Sequence, residues 1–193
     1  MPEPLISSRP VFVTSRQEKA EEAKRLGFDL ECVSLDLPEI QGIEPGEIVE
    51  AKAREAYSLL ARPVIVEDSG LAIRVWRGFP GALVKWLEKS AGLETLARML
   101  DAFDDRGAVA ICAIAFFDGA RLVAARGEVS GKIATHPRGN GGFGWDVLFV
   151  PEGSDRTFAE MTGPEKDAIS HRRRAWEQLA RRLAEMGISG QQP

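Results

Sequence analysis

The sequence predicts an α/β domain built on an extended twisted sheet, and three observations lead there. Short β-branched runs such as Val11-Phe12-Val13 and Val64-Ile65-Val66 alternate with stretches of helical period such as Pro45 to Ala61. Two long apolar runs, Gly107 to Phe117 and Arg121 to Ile133, are separated by Asp118-Gly119, a hairpin signal, and are long enough to span the molecule. At 193 residues and 44% hydrophobic the chain can bury a full core. It contains no internal repeat and no dividing linker, so 1–193 reads as a single domain, with flexible ends expected at 1–10 and 188–193.

Composition narrows the function classes. A formal net charge of −4 gives no support to a nucleic-acid or membrane partner, although basic residues gather at Arg172 to Arg174 and Arg181-Arg182. Cys32 and Cys112 lie far apart in apolar runs and read as reduced core residues, neither a disulfide nor a metal site. Met1 to Pro10 lacks the apolar stretch of a signal peptide and no run approaches transmembrane length, so the expected compartment is the cytoplasm.

In chain order, Val11 to Thr14 is a first strand. Ser15-Arg16-Gln17-Glu18 fits the capping-box pattern, so a helix should run from Arg16 to Leu26 and stop at Gly27. Free N–H groups where a strand feeds a helix can hold a phosphate, and Arg16 and Lys19 add positive charge there. An ordinary helix capped by Glu18 fits the same residues. Leu30 to Leu35 is a second strand, followed by a loop carrying Asp36 and Glu39. Pro45 opens a long helix to Ala61 with an apolar stripe at Ile48, Ala56 and Leu59. Lys52 falls on that stripe, where it either snorkels to solvent or projects to meet a phosphate.

The central strand, from Val64, runs into Glu67-Asp68 and a Ser69-Gly70 turn. Adjacent strand residues face opposite ways, so one of the two carboxylates should look into a cleft at the strand's end. A hard cation such as Mg²⁺ takes oxygen ligands and needs only one or two carboxylates beside water and phosphate. A strand end with solvated acids is the alternative. Leu71 to Val75 follows, then a turn-rich connector, Arg77 to Gly81, a helix opening at Val84 and another over Leu93 to Phe103.

Gly139 to Asp146 joins glycines, which let backbone approach a ligand, to the flat faces of Phe143 and Trp145 and the planar acceptor Asp146. That composition suits a stacked heterocyclic base; a loop pinned to the core by its aromatics is equally compatible. Val147 to Val150 is a further strand. Thr162 to Met186 is helical, with Ser170 placed to break and recap it. Its apolar stripe is Ile169, Trp176, Leu179 and Leu183, and Arg172 on that stripe requires an anionic or acceptor partner. Arg173 and Arg174 read as solvated charge.

Taken together, these stretches resemble the inosine triphosphate pyrophosphatase family, the non-canonical purine NTP pyrophosphatases. The resemblance runs from Val11 to Leu183 and rests on motifs in family order. They are Phe12-Val13-Thr14 with Lys19, Asp36-Leu37-Pro38-Glu39, Val66-Glu67-Asp68-Ser69-Gly70-Leu71, Gly78-Phe79-Pro80-Gly81 and Val84-Lys85-Trp86. Phe143-Gly144-Trp145-Asp146, Thr157-Phe158-Ala159-Glu160-Met161 and Glu165-Lys166 leading to Ser170-His171-Arg172 complete the set.

The resemblance implies a two-lobed fold about a long mixed sheet flanked by helices, an active site in the cleft and a homodimer. It implies hydrolysis of ITP, dITP or XTP to the monophosphate and pyrophosphate with Mg²⁺ or Mn²⁺. Asp68 would be the catalytic base or metal carboxylate and Glu39 a second metal ligand. Thr14, Ser15, Lys19, Lys52, Ser69 and Lys85 would line the phosphates, with Arg16 in the same turn. Phe143, Gly144, Trp145, Asp146, Lys166, His171 and Arg172 would hold base and sugar. Donor-only Arg172 and a charged His171 would donate to the 6-oxo group of hypoxanthine or xanthine and leave an adenine amine unpaired. The family usually has Asn where this chain has Arg16, and Tyr-Ser where it has Leu83-Val84. Arg16 is the feature that favours a rival reading, a nucleotide-binding protein without turnover; a pyrophosphatase for another modified nucleotide is a third.

Overall fold

The computed structural model describes residues 9–188, so most of the two ends expected to be flexible lie outside the described residues. Its strands are β1 (Val11–Val13), β2 (Cys32–Val33), β3 (Val64–Ile73), β4 (Pro80–Gly81), β5 (Gly107–Phe117), β6 (Leu122–Ile133) and β7 (Phe149–Pro151). The helices are α1 (Gln17–Arg25), α2 (Pro45–Leu60), α3 (Val84–Ala91), α4 (Leu93–Met99), α5 (Gly163–Ile169) and α6 (His171–Glu185). One mixed sheet has the order β2-β1-β3-β5-β6-β7, with β4 pairing β3 off this path. β1 is parallel to β2 and β3, while β3, β5, β6 and β7 pair antiparallel in turn.

Strand alternation sorts the core. Val64 and Val66 pack on Val49, Ala53 and Ala56 of α2, while Ile65 joins Phe12, Trp176 and Leu179 on the other face. Further along the same strand, Leu71 and Ile73 belong to a third cluster with Leu96, Leu100, Trp145 and Phe149. Between these apolar halves of β3 lie Glu67, Asp68 and Ser69, opposite Ile114, Ala113 and Cys112 of β5. The polar triplet therefore sits mid-sheet, where the packing changes from one core to the next.

The Ser69-Gly70 pair is not a turn: β3 continues through it to Ile73, laddered to β5 along its whole length. Gly70 is there for space, because a Cβ would lie 2.8 Å from Pro45 Cγ and 2.9 Å from the Gly81 carbonyl carbon. The capping box expected at Ser15 and Glu18 does not form. Arg16 is the N-cap of α1 and no side chain caps it, whereas Thr162 and Glu165 build a reciprocal box on α5 and Ser170 caps α6. The second strand shrinks to two residues and leaves Cys32 exposed rather than in the core. Leu59 and Ile169, assigned to apolar stripes, are exposed, and Ile188 packs against the core.

β7 covers only Gly131–Ile133 of β6, and α6 guards the next part of that edge. Arg174 Nη1 donates to the Glu128 carbonyl (2.6 Å), Gln178 Oε1 accepts from the Arg126 N–H (2.9 Å), and Arg182 Nη1 donates to the Ala124 carbonyl. Four helical residues rise about 6 Å and two strand residues about 6.7 Å, so the series stays in register. Gly127 permits the approach: a Cβ there would meet the His171 carbonyl oxygen at 2.1 Å. Arg174, read as solvated charge, thus holds the helix to the sheet and fixes the start of α6.

Candidate active site

Six segments meet at the polar middle of β3 and enclose one cavity. α1 contributes Arg16 and Lys19, β3 Asp68 and Ser69, the 36–43 loop Glu39, and the start of α3 Val84, Lys85 and Glu88. The glycine-rich loop and the start of α6 add Phe143, Gly144, Trp145, Asp146, His171 and Arg172. A wider depression along the β6 edge, between α2 and α6, is lined by residues such as Arg126, Glu177 and Arg181 and shares none of these side chains.

Asp68 and Glu67 leave the strand on opposite faces. On the α2 side, Lys52 Nζ stands 3.0 Å from Glu39 Oε1 and 3.6 Å from Asp68 Oδ1, and Lys85 Nζ is 3.4 Å from Glu39 Oε2. Burial would raise the Glu39 carboxyl, but Lys52 and Lys85 outweigh it and hold it below its ordinary value. For Asp68 the balance reverses. Burial, helped by Glu39 and Glu67, overcomes Lys19 and Lys52 and leaves this carboxyl raised, the condition of a better proton acceptor.

On the other face lies a buried ion network. Arg172 Nε donates to both Glu67 oxygens (2.9 and 3.1 Å), its Nη1 to Glu22 and its Nη2 to Ser69 Oγ (3.1 Å). Lys19 Nζ is 3.2 Å from Glu67, and Trp176 Nε1 donates to Glu67 Oε2 (3.2 Å). Lys166 Nζ is held between Glu22 and Asp146, 2.6 Å from each. Burial opposes every one of these charges, yet Arg172 and Lys19 keep Glu67 ionised below its ordinary range, and Arg172 and Lys166 do the same for Glu22. For Asp146 burial outweighs Lys166 and the Phe143 N–H, and its carboxyl ends raised.

Asp146 also shapes the glycine-rich loop. Its Oδ2 accepts the Phe143 N–H at 2.9 Å, and Gly142, at φ 64°, leaves it room, since a Cβ would lie 2.3 Å from that oxygen. Phe143 is drawn over Lys166 (5.0 Å) and Arg172 (5.4 Å). His171, 1% exposed, lies near Trp145 and stacks on Phe158, and neither ring nitrogen has a hydrogen-bond partner among the described residues. Burial, then Arg172, Lys166 and Lys19, drive its pKa well below the ordinary value. A charged His171 is therefore corrected to a neutral imidazole, one donor and one acceptor.

Of the residues singled out from sequence, Arg16, Lys19, Glu39, Asp68, Ser69, Lys85, Phe143, Gly144, Trp145, Asp146, His171 and Arg172 line the cavity. Thr14, Ser15, Lys52 and Lys166 do not. Thr14 Oγ1 accepts the Arg16 N–H, Ser15 is exposed, Lys52 reaches Glu39 and Asp68 from behind, and Lys166 is consumed by its two carboxylates. Glu22 and Glu88 escaped sequence reading. The demand of Arg172 for an anion pointed to a partner, but nothing in the helical pattern of α1 singled out Glu22 as that partner. Among the described residues no cluster of three or more His, Cys, Asp or Glu could hold a metal, so any metal here relies on few protein carboxylates.

A model of the Ham1 family matches residues 10–182. The chain is 41% identical over 181 residues to a dITP/XTP pyrophosphatase of Thermococcus kodakarensis, covering 92% of this chain and 98% of that protein. It is 40% identical over 199 residues to an inosine triphosphate pyrophosphatase of Kluyveromyces lactis, covering 97% and 100%. Among solved structures, a HAM1 protein from Coxiella burnetii superposes with a TM-score of 0.77 at 32% identity, covering 92% of this chain and all of that one.

Proposed function

The chain belongs to the Ham1 family, and from that premise we propose that it hydrolyses non-canonical purine nucleoside triphosphates, ITP, dITP and XTP, to the monophosphate and pyrophosphate. The observation that carries this is the polarity of the cavity. Its lining joins the cations Arg16, Lys19 and Lys85 and the carboxylates Glu39 and Asp68 to the rings of Phe143, Trp145 and a neutral His171. A polyphosphate suits the charged group and a purine the rings.

Glu39 and Asp68 fit Mg²⁺ or Mn²⁺. They are hard oxygen donors from two separate segments, and both already turn an oxygen toward one ammonium group. When bound, the metal supplies neutralisation of the phosphate charge and acidifies a water. Asp68 orients the attacking water and takes its proton. Lys19, Lys85 and Arg16 stabilise charge on the phosphates as the bond between the α and β phosphates breaks, which is most of what such chemistry asks of a protein.

At the base end, the remaining Arg172 N–H groups, aimed by Glu67 and Glu22, donate to the 6-oxo group, whereas neutral His171, one donor and one acceptor, does not by itself tell an oxo group from an amine. Lys166 positions Asp146 and through it the Phe143 loop. The cytoplasm and a homodimer belong to the same reading; no helix among the described residues is long and apolar enough to cross a membrane.

The deciding assay is pyrophosphate release with Mg²⁺ from ITP and XTP beside ATP and GTP. Rates for ITP and XTP at least a hundredfold above ATP support the reading, because a mismatched buried hydrogen bond costs that much or more. Comparable rates for all four sink the base assignment, and binding of ITP without turnover favours the nucleotide-binding rival.

A further inference from the structure

Lys52 stands where the proposed metal site needs a cation. Its side chain comes from the middle of α2, is 12% exposed, and ends with Nζ facing one oxygen of Glu39 and one of Asp68. Its neighbour Lys85 touches only the other oxygen of Glu39. Lys52 is thus the cation that bridges the two carboxylates, both of which line the cavity. Without it, two partly buried acids would face each other with only Lys85 beside Glu39 and the field of Lys19 on Asp68 to offset them.

We propose that Lys52 is a resting counter-ion for the Glu39–Asp68 pair, which a divalent cation must displace and which then turns to the substrate's phosphates. The inference rests on the metal assignment made above. Mg²⁺ demands oxygen ligands at about 2.0–2.1 Å, whereas the ammonium holds its oxygens at 3.0 and 3.6 Å. The two cations cannot serve the same oxygens, and each repels the other at such range. Two consequences follow by linkage. Metal alone binds weakly because it competes with Lys52, and a polyphosphate that draws Lys52 away raises metal affinity, by the same factor as metal raises polyphosphate affinity. The device keeps the carboxylates paired until substrate arrives and couples the two loading events. In this role Lys52 is a positioning residue.

The test measures Mg²⁺ binding to substrate-free protein by calorimetry, with Mn²⁺ paramagnetic titration as a second probe, so no turnover enters the readout. Lys52→Met should tighten Mg²⁺ binding about tenfold, equivalent to about 1.4 kcal/mol. Lys52→Arg, which keeps the charge and can fork onto both acids, should not tighten it. Lys85→Met removes an equal charge that touches only one carboxylate and should tighten it distinctly less. Equal affinities for the unmodified protein and Lys52→Met overturn the proposal, as does equal tightening by Lys85→Met, which would reduce the effect to general electrostatics. Either result leaves the metal assignment standing, provided Asp68→Asn and Glu39→Gln weaken binding. If those two substitutions leave Mg²⁺ binding untouched, the metal assignment falls and the counter-ion role with it.

Discussion

His171 should make the protein acid-labile well above the carboxylate range. The ring is 1% exposed and neutral, and Arg172, Lys166 and Lys19 oppose a proton on it. In the unfolded chain it takes a proton near its ordinary value of 6.5; in the folded protein it does not. The unfolded state therefore binds more protons below that pH, and stability is lost as pH falls through 6.5. One proton is worth about 1.4 kcal/mol per pH unit once the unfolded chain is saturated. Between pH 7.5 and pH 5.0 the loss comes to about 2 kcal/mol, or about 4–8 °C in Tm for a domain of this size.

Glu22 and Glu67, whose pKa values are lowered, add losses of the same sign, but only from about pH 4.5 downward, below this window. Asp68 and Asp146, whose pKa values are raised, act in the opposite sense. All four carboxylates persist in a His171→Phe variant, which keeps a ring on Phe158 and removes the titration. Urea unfolding at pH 7.5 and 5.0 should show the unmodified protein losing about 2 kcal/mol more than the variant. His171→Gln checks the result with a polar, non-titrating side chain. Equal losses in all three proteins would refute the reasoning and mean that the folded protein accepts the proton.

Asp68→Asn should lower pyrophosphate release from ITP by about 10²–10⁴-fold with an unchanged unfolding midpoint, as removal of a positioned base does; near-full activity would remove Asp68 from the mechanism. Arg16→Glu should raise KM for ITP steeply while Arg16→Asn remains active, and unchanged kinetics in the Glu variant would place that side chain in solvent. Gly127→Ala should destabilise by about 1–3 kcal/mol, since its Cβ would press on α6 backbone at 2.1 and 2.4 Å. A midpoint unchanged in urea would show that α6 can move off β6 freely.

What the sequence determined alone is whatever depends on neighbours along the chain. Apolar period placed α2, β5 and β6 within a residue or two, because each buries a continuous stripe that reads the same in any tertiary context. Ser170 as a cap between two helices was legible because capping is local. Ordered motifs carried the family, and with it the expectation that Asp68, Glu39 and the Phe143 loop share one site; all three line the same cavity. The tertiary structure decided the rest. The Ser69-Gly70 pair reads as a turn until β5 pairs with it and Pro45 and Gly81 close over it. Ser15 and Glu18 match a capping box that the N-terminus of α1 does not use. Lys166 and Arg172 look like ligand-binding cations, yet Glu22, 144 and 150 residues away in sequence, meets both in the buried network. Charge pairing at that separation leaves no local pattern, because low dielectric and burial act across space and only the folded packing of α1, β3 and α6 brings those groups together.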